Sequence, residues 1–128
     1  MDLSKYTYVG SITETIANIK GFRYPGKVYA APGVIKHIKK NHDDNLSEAV
    51  LNDLLGTMKE ILNSPDYVGC HPKEADGTSL ELIKWVDDNL LLALKFDITE
   101  NYIYVATLFP VTESKIESRL YSNRLVKL

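Results

Sequence analysis

The chain has 128 residues, of which 45% are hydrophobic and 25% are charged, and its formal net charge is −2. This length fits one globular domain whose core needs no disulfide or metal to hold it together. The single cysteine, Cys70, excludes a disulfide-rich scaffold and fits a reducing compartment. No apolar run approaches the roughly 18 residues that a membrane-spanning helix needs, and the first residues lack the pattern of a signal peptide. We therefore expect a domain that acts in the cytoplasm and does not associate with a membrane.

The charges are distributed unevenly along the chain. Residues 15–42 hold six Lys or Arg and no acid, and residues 114–128 hold four bases and one acid. The intervening residues 43–113 hold 14 acids and four bases. If folding brings the two basic segments together, they form a positive patch that is typical of an anion-binding face. The alternative is that both are ordinary helices with solvated lysine faces.

The first half of the chain has the hydrophobic spacing of helices. Apolar residues recur every three to four positions, and this spacing predicts helices over 12–20, 33–42 and 46–63. Capping boxes that start at Ser11 and at Asn45 mark the beginnings of the first and third helices. The first half is therefore mostly helical, with a short extended stretch between the first two helices.

After Pro65 the hydrophobic period changes to two, which indicates strands. The alternation and the turn residues predict antiparallel strands over 67–70, 79–86, 90–98 and 102–109, with a polar loop over 71–78. The basic tail is consistent with a short helix followed by an extended end. Helices followed by an antiparallel meander indicate the α+β class, with N-terminal helices packed on one face of a four-stranded antiparallel sheet.

Two of the three histidines, His37 and His42, lie in the first basic segment. In a continuous helix they point about 140° apart, so they share a site only if the helix ends between them. Histidine serves as a general base or a general acid near neutral pH. One histidine of this pair could therefore act as the base and the other as the acid. The alternative is two ordinary surface histidines. A zinc site is disfavoured, because the spacing matches half of a zinc finger and the cysteine pair of the other half is absent.

The predicted sheet carries two polar residues within apolar stripes. Alternation assigns Lys84 to the face of Leu80 and Leu82, and Thr107 to the face of Ile103. A polar group there must find a partner or reach a rim, so the two residues are either structural or at the edge of a cleft with the histidines. Eight tyrosines offer stacking surfaces for bases, although strands favour tyrosine in any case. Glycine-rich phosphate loops, nucleophile elbows and clustered carboxylates are absent from the sequence, which disfavours metal-dependent and serine hydrolases.

The order of several segments resembles one family, the phage-associated barnase–EndoU–colicin–RelE-like (PBECR) nucleases. The segments are GKVYAAPGVIKHIKKNH (26–42), NSPDYVG (63–69), SLELIKWVDDNLLLALK (79–95), YIYVATLF (102–109) and KIESRLYSNRLVKL (115–128). The resemblance covers residues 27–128. It divides a single domain, 1–128, into an N-terminal extension (1–25) and a nuclease-like core (26–128).

The resemblance implies a BECR-like ribonuclease fold and a metal-independent endoribonuclease that uses no cofactor. In such an enzyme the ribose 2′-OH attacks the neighbouring phosphate, and histidines act as general acid and general base. The implied substrate is RNA, with tRNA as one candidate. The resemblance leaves open which histidine is the base. The catalytic positions that it implies are His37, His42, Lys84, Thr107 and Arg124. The substrate-binding residues that we predict are Lys36, Lys39, Lys40, Tyr104, Lys115 and Arg119.

The resemblance also implies a toxin of phage or inter-bacterial conflict, delivered as part of a phage or a secreted effector and paired with a cognate immunity or antitoxin protein. The oligomeric state stays open. Asn41 stands where the family often has a basic residue, and the net charge is −2. These two features favour an alternative, a catalytically inactive binding module of a phage or mobile element or an antitoxin-like partner protein.

Overall fold

The computed structural model describes residues 3–42, 45–71, 73 and 77–128. Within them a short 3₁₀ turn (Leu3–Lys5) precedes five α-helices and seven strands. The helices are α1 (Glu14–Ile19), α2 (Pro32–His42), α3 (Glu48–Asn52), α4 (Leu54–Asn63) and α5 (Glu113–Tyr121). The strands are β1 (Thr7–Ile12), β2 (Gly26–Ala30), β3 (Tyr67–Gly69), β4 (Ser79–Trp85), β5 (Asn89–Asp97), β6 (Tyr102–Pro110) and β7 (Leu125–Lys127).

All seven strands form one sheet in the order β1-β2-β6-β5-β4-β3-β7. Neighbouring strands are antiparallel except for β2 and β6, which run parallel. The α+β class is confirmed, but a four-stranded sheet preceded by helices is wrong. The four predicted strands form the centre, and β1 with β2 extends one edge while β7 closes the other. The added strands are short and belong to segments without a clear period-two pattern, so their pairing depends on the edges that the central strands offer.

Several helix boundaries differ from the predicted ones. The first helix begins after Thr13, whose side chain accepts the Ile16 N–H, because Ile12 is the buried last residue of β1. The long helix predicted over 46–63 is two helices. They are separated at Asp53, which has φ −145° and ψ 63° and whose carboxylate accepts the Gly56 N–H as the cap of α4. The cap of α3 is Ser47, two residues after the predicted start of the capping box. The second helix and the tail helix are confirmed.

The two faces of the sheet pack against different elements. Helices α1 to α4 cover one face, here the helical face, where Met58 and Ile61 of α4 meet Leu80, Leu82 and Leu92 of the sheet. On the other face, here the open face, α5 and the end of the chain pack against the sheet. The second cluster on that side contains Ile83, Leu91, Val111, Ile116 and Leu125. Among the described residues this cluster contains none from β1 or β2, so α5 covers one half of the open face and leaves the other half uncovered.

Part of the polar loop predicted over 71–78, namely residues 72 and 74–76, lies outside the described residues. None of the helices in the described ranges has the length and apolarity to cross a membrane.

Candidate functional site

A row of paired residues crosses the open face beside α5. Leu125 pairs with Gly69, Gly69 with Glu81, Glu81 with Ala93 and Ala93 with Thr107. Residues paired across strands present their side chains on the same face. Ala93 has only a methyl group, which leaves space between Glu81 and Thr107. On the other side of Glu81, the Arg124 carbonyl and the Leu125 side chain fill the space that the missing side chain of Gly69 leaves. The row therefore places one carboxylate and one hydroxyl around a depression in the sheet.

This depression is a pocket of about 310 Å³. Its lining includes His71, Ser79, Glu81, Lys95, Thr107 and Phe109. Glu81 is only 7% exposed, and its Oε1 lies 3.4 Å from Nη1 of Arg119 on α5. A buried carboxylate is tolerated when a cation and hydrogen bonds compensate the loss of water. The pocket lining thus combines a buried acid with the cationic side chain of Lys95, and Arg119 pairs with the acid from outside the lining.

Thr107 lies in this pocket because β6 contains a bulge. Ala93 pairs with Thr107 and Leu94 pairs with Val105, so Ala106 is the extra residue. An extra residue reverses the alternation of side chains beyond it. The assignment of Thr107 to the face of Ile103 is therefore wrong. The Thr107 Oγ1 is buried without a hydrogen-bond partner among the described residues, which is unusual for a hydroxyl.

The three histidines have different positions relative to the pocket. Helix α2 continues to His42, so His37 and His42 diverge as the helical spacing predicts. The ring of His42 lies 5.9 Å from that of Phe109, in the wall of the pocket. His37 is exposed, with the Asn41 side-chain nitrogen 3.1 Å from its Nδ1. His71 lines the pocket itself, and its Nδ1 accepts the Lys73 backbone N–H at 3.1 Å.

Lys84 and Arg124 lie outside the lining of this pocket. Lys84 is on the helical face, as its alternation predicts, and its Nζ donates to the Ser64 carbonyl at 2.8 Å. Its ammonium is also 3.9 Å from the Asp66 carboxylate. Arg124 precedes β7, its backbone N–H donates to the Arg119 carbonyl at 2.9 Å, and its Nε is buried without a partner among the described residues.

The predicted substrate-binding residues divide into two groups. Arg119 pairs with Glu81, and Tyr104 pairs with Lys95 across the open face, so each neighbours a residue of the pocket lining without belonging to the lining itself. The remaining four are exposed on the outer surfaces of α2 and α5: Lys36, Lys39, Lys40 and Lys115. The two basic segments meet at one point, where the Lys20 ammonium donates to the Asn123 carbonyl at 2.6 Å.

The sequence reasoning missed Glu81, Lys95 and His71. A usable signal was the continuous apolar run at residues 90–94, because strands that are buried on both faces have such runs. If β5 is buried on both faces of the sheet, the open face of the neighbouring strand β4 is covered as well. Glu81, on that second face, is then a buried carboxylate rather than a solvated one.

One ionisable group on the open face has a clearly shifted pKa. Burial raises the pKa of Tyr102 to about 12, and a hydrogen bond with Tyr6 and the negative charge of Asp97 act in the same direction. Within the described part of the chain, no three His, Cys, Asp or Glu side chains form a group that could hold a metal ion.

A family model described as phage-Barnase-EndoU-ColicinE5/D-RelE like nuclease3 (PBECR3) matches residues 7–118. The match begins well before residue 27, so it includes β1 and α1, and it ends within α5. No curated protein and no solved structure matches the chain. The matched range contains the whole row from Gly69 to Thr107, and it spans far more than half of the sequence. The chain therefore belongs to the phage-Barnase-EndoU-ColicinE5/D-RelE like nuclease 3 family, a family of nucleases.

Proposed function

We propose that this protein is a metal-independent endoribonuclease whose active site is the pocket on the open face. The observation that carries the proposal is the buried Glu81 carboxylate, which pairs with Arg119 and lines one pocket with Lys95 and Thr107. The Thr107 hydroxyl has no hydrogen-bond partner within the described residues. A proton acceptor and cations at one pocket are among the groups that phosphodiester cleavage by an internal nucleophile requires.

The first half of the reaction uses Glu81 as the general base. Its carboxylate takes the proton of the ribose 2′-OH, and the 2′-oxygen forms a bond to the neighbouring phosphorus. The small side chain of Ala93 leaves room for the ribose beside the carboxylate. DNA lacks this hydroxyl and is therefore not a substrate.

The second half breaks the bond between phosphorus and the 5′-oxygen. Protonated His71 donates a proton from Nε2 to the departing oxygen, which leaves a 2′,3′-cyclic phosphate and a 5′-hydroxyl. The Lys73 amide, which approaches Nδ1 at 3.1 Å, must move away for this step because Nδ1 then carries a proton as well. His42 contacts Phe109 and supports the wall of the pocket.

Negative charge builds up on the phosphate oxygens between these two steps. Lys95 in the pocket lining and Arg119 beside Glu81 supply positive charge, and the Thr107 hydroxyl donates to one of the oxygens once substrate binding uncovers its buried Oγ1. Fixed donors of this kind typically contribute about 10²–10³-fold to the rate of a reaction.

The test measures cleavage of labelled RNA in EDTA by the wild-type protein and by Glu81→Gln. We expect the substitution to lower kcat by roughly 10²–10⁴-fold, the contribution of one general base. Glu117→Gln, an exposed glutamate on α5, is the matched control and should keep wild-type activity. Full activity in Glu81→Gln, loss of activity in EDTA, or cleavage of DNA would each refute the proposal.

The same assay on histidine variants identifies the acid. We expect the largest loss for His71→Ala, a smaller loss for His42→Ala and the smallest for His37→Ala. A loss in His37→Ala or His42→Ala that exceeds the His71→Ala loss would assign the acid role to α2 instead, among the two histidines that the resemblance implies.

We extend the proposal to the biological role of a toxin that acts on cytoplasmic RNA and is held in check by a cognate immunity or antitoxin protein. Expression of the wild-type chain should stop the growth of a bacterial host, while Glu81→Gln should be harmless. Equal toxicity of the two proteins, or no toxicity of either, would favour the reading as a binding module.

A further inference from the structure

Five tyrosines lie together on the half of the open face that α5 leaves uncovered. Tyr8 of β1 pairs with Tyr29 of β2, and Tyr29 pairs with Tyr104 of β6. Tyr102 lies two residues before Tyr104 on the same strand, and the ring of Tyr6 packs against that of Tyr102. We call these five residues the tyrosine face.

The rings of the tyrosine face are held in place while remaining accessible. Ring centroids are 6.2 Å apart for Tyr8 and Tyr29, and 5.6 Å apart for Tyr102 and Tyr104. Tyr8 is 50% exposed and the other four are half-buried. The alternate residues of β2 and β6 point into the buried core below, which fixes the strands that carry the rings. Aromatic rings ordered in this way lose little entropy when a flat ligand stacks on them.

The tyrosine face is continuous with the pocket. Tyr104 pairs with Lys95, which lines the pocket that Glu81 also lines. From β5 to β1 is three strand spacings, about 14 Å. A chain bound in the pocket therefore reaches the tyrosine rings within a few nucleotides.

Positive charges accompany the rings. Arg23 and Lys27 line a groove of about 500 Å³ together with Tyr29 and Tyr102. Lys27 lies two residues before Tyr29 on β2, so both side chains are on the open face. Rings for bases and cations for phosphates, placed side by side, are the two components of surfaces that bind single-stranded nucleic acid.

We propose that the tyrosine face binds the unpaired bases that flank the scissile phosphodiester of a single-stranded RNA. This inference rests on the proposed function for the identity of the chain that enters the pocket. The closest physical analogy is an exposed four-stranded sheet whose aromatic residues stack two or three bases. The face is the means by which the enzyme selects unpaired over duplex RNA, because paired bases do not expose their surfaces to the rings.

The test measures binding of an eight-nucleotide 2′-O-methyl RNA, which has no free 2′-OH and is not cleaved, by fluorescence anisotropy. Tyr8→Ala and Tyr29→Ala should each weaken binding by roughly 5- to 150-fold, the effect of losing one stacked base. Tyr8→Phe and Tyr29→Phe keep the ring and should bind within about 2-fold of wild type. Tyr121→Ala removes a tyrosine that is 92% exposed on α5, and it is the matched control, with unchanged binding expected. Thermal melts of all variants check that each is folded.

The outcomes separate this inference from the proposed function. Unchanged binding in both Ala variants, equal losses in the Phe and Ala variants, or equal affinity for duplex RNA would overturn the inference, even if cleavage depends on Glu81. Ring-dependent binding to single strands would sustain it even if no RNA is cut. Sedimentation of the wild-type protein and the Ala variants gives their oligomeric states. If the Ala variants change the oligomeric state but not RNA binding, the face is a contact between copies of the chain and the inference is overturned.

Discussion

The two faces of the same sheet have different compositions and perform different tasks. On the helical face, the helices bury five leucines at alternate positions of β4 and β5, namely Leu80, Leu82, Leu90, Leu92 and Leu94. On the open face, α5 covers apolar residues at one end, and the remainder presents a charged pocket and a set of tyrosines. Leu92 and Ala93, adjacent in the chain, contribute to opposite faces. One strand therefore supplies both the stability of the fold and the floor of the candidate active site.

The largest effect that we expect on the helical face comes from Leu92→Ala. Leu92 is fully buried, so the substitution leaves a cavity and lowers the free energy of unfolding by about 2–5 kcal/mol. Urea unfolding measures this loss. Nuclease activity per folded molecule should stay near wild type, and a loss of activity without a loss of stability would contradict the division between the faces.

The next effect is on the open face and comes from Ala93→Leu. The added atoms enter the pocket between Glu81 and Thr107, and they displace the substrate or the carboxylate. We expect kcat/KM to fall by at least about 100-fold, since a shift of 1 Å at a reacting group has such consequences. Thermal stability should change little, because Ala93 is only half-buried and the new side chain packs on the second cluster.

Ala49→Leu, at an exposed position of α3, is the matched control for Ala93→Leu and should have wild-type activity. Wild-type turnover in Ala93→Leu would mean that the pocket is not the site of cleavage.

The smallest effect is the alkaline titration of Tyr102. Its pKa is raised from 10.0 to about 12, so the folded chain retains this proton at a pH where the unfolded chain has lost it. The resulting stabilisation is fully present below pH 10 and is lost as the pH rises through about 12. A pH titration followed by absorbance at 295 nm records the ionisation of the tyrosines. The ionisation step at the highest pH should be present in the wild-type protein and absent in Tyr102→Phe. An unchanged last step would show that another tyrosine is the buried one.

The sequence alone determined the elements with a strong period. The spacing of Val34 and Ile38 predicted α2, and the leucines at alternate positions predicted β4, β5 and their helical face. It also predicted the divergence of His37 and His42, since the angle between two helical positions follows from their separation. The family was identified from the order of these same elements and is confirmed by the match over residues 7–118.

Only the tertiary structure decided which residues meet on the open face. Thr107 changes face because of a bulge whose position depends on how β6 pairs with β5. Glu81 is a buried carboxylate because α5, 32 residues later in the chain, returns over β4 with Arg119. Pairing of β1 with β2 and of β2 with β6 assembles the tyrosine face from residues that are distant in sequence. Periodicity describes one element at a time, whereas register and coverage depend on contacts between elements, so they are fixed only when the chain has folded.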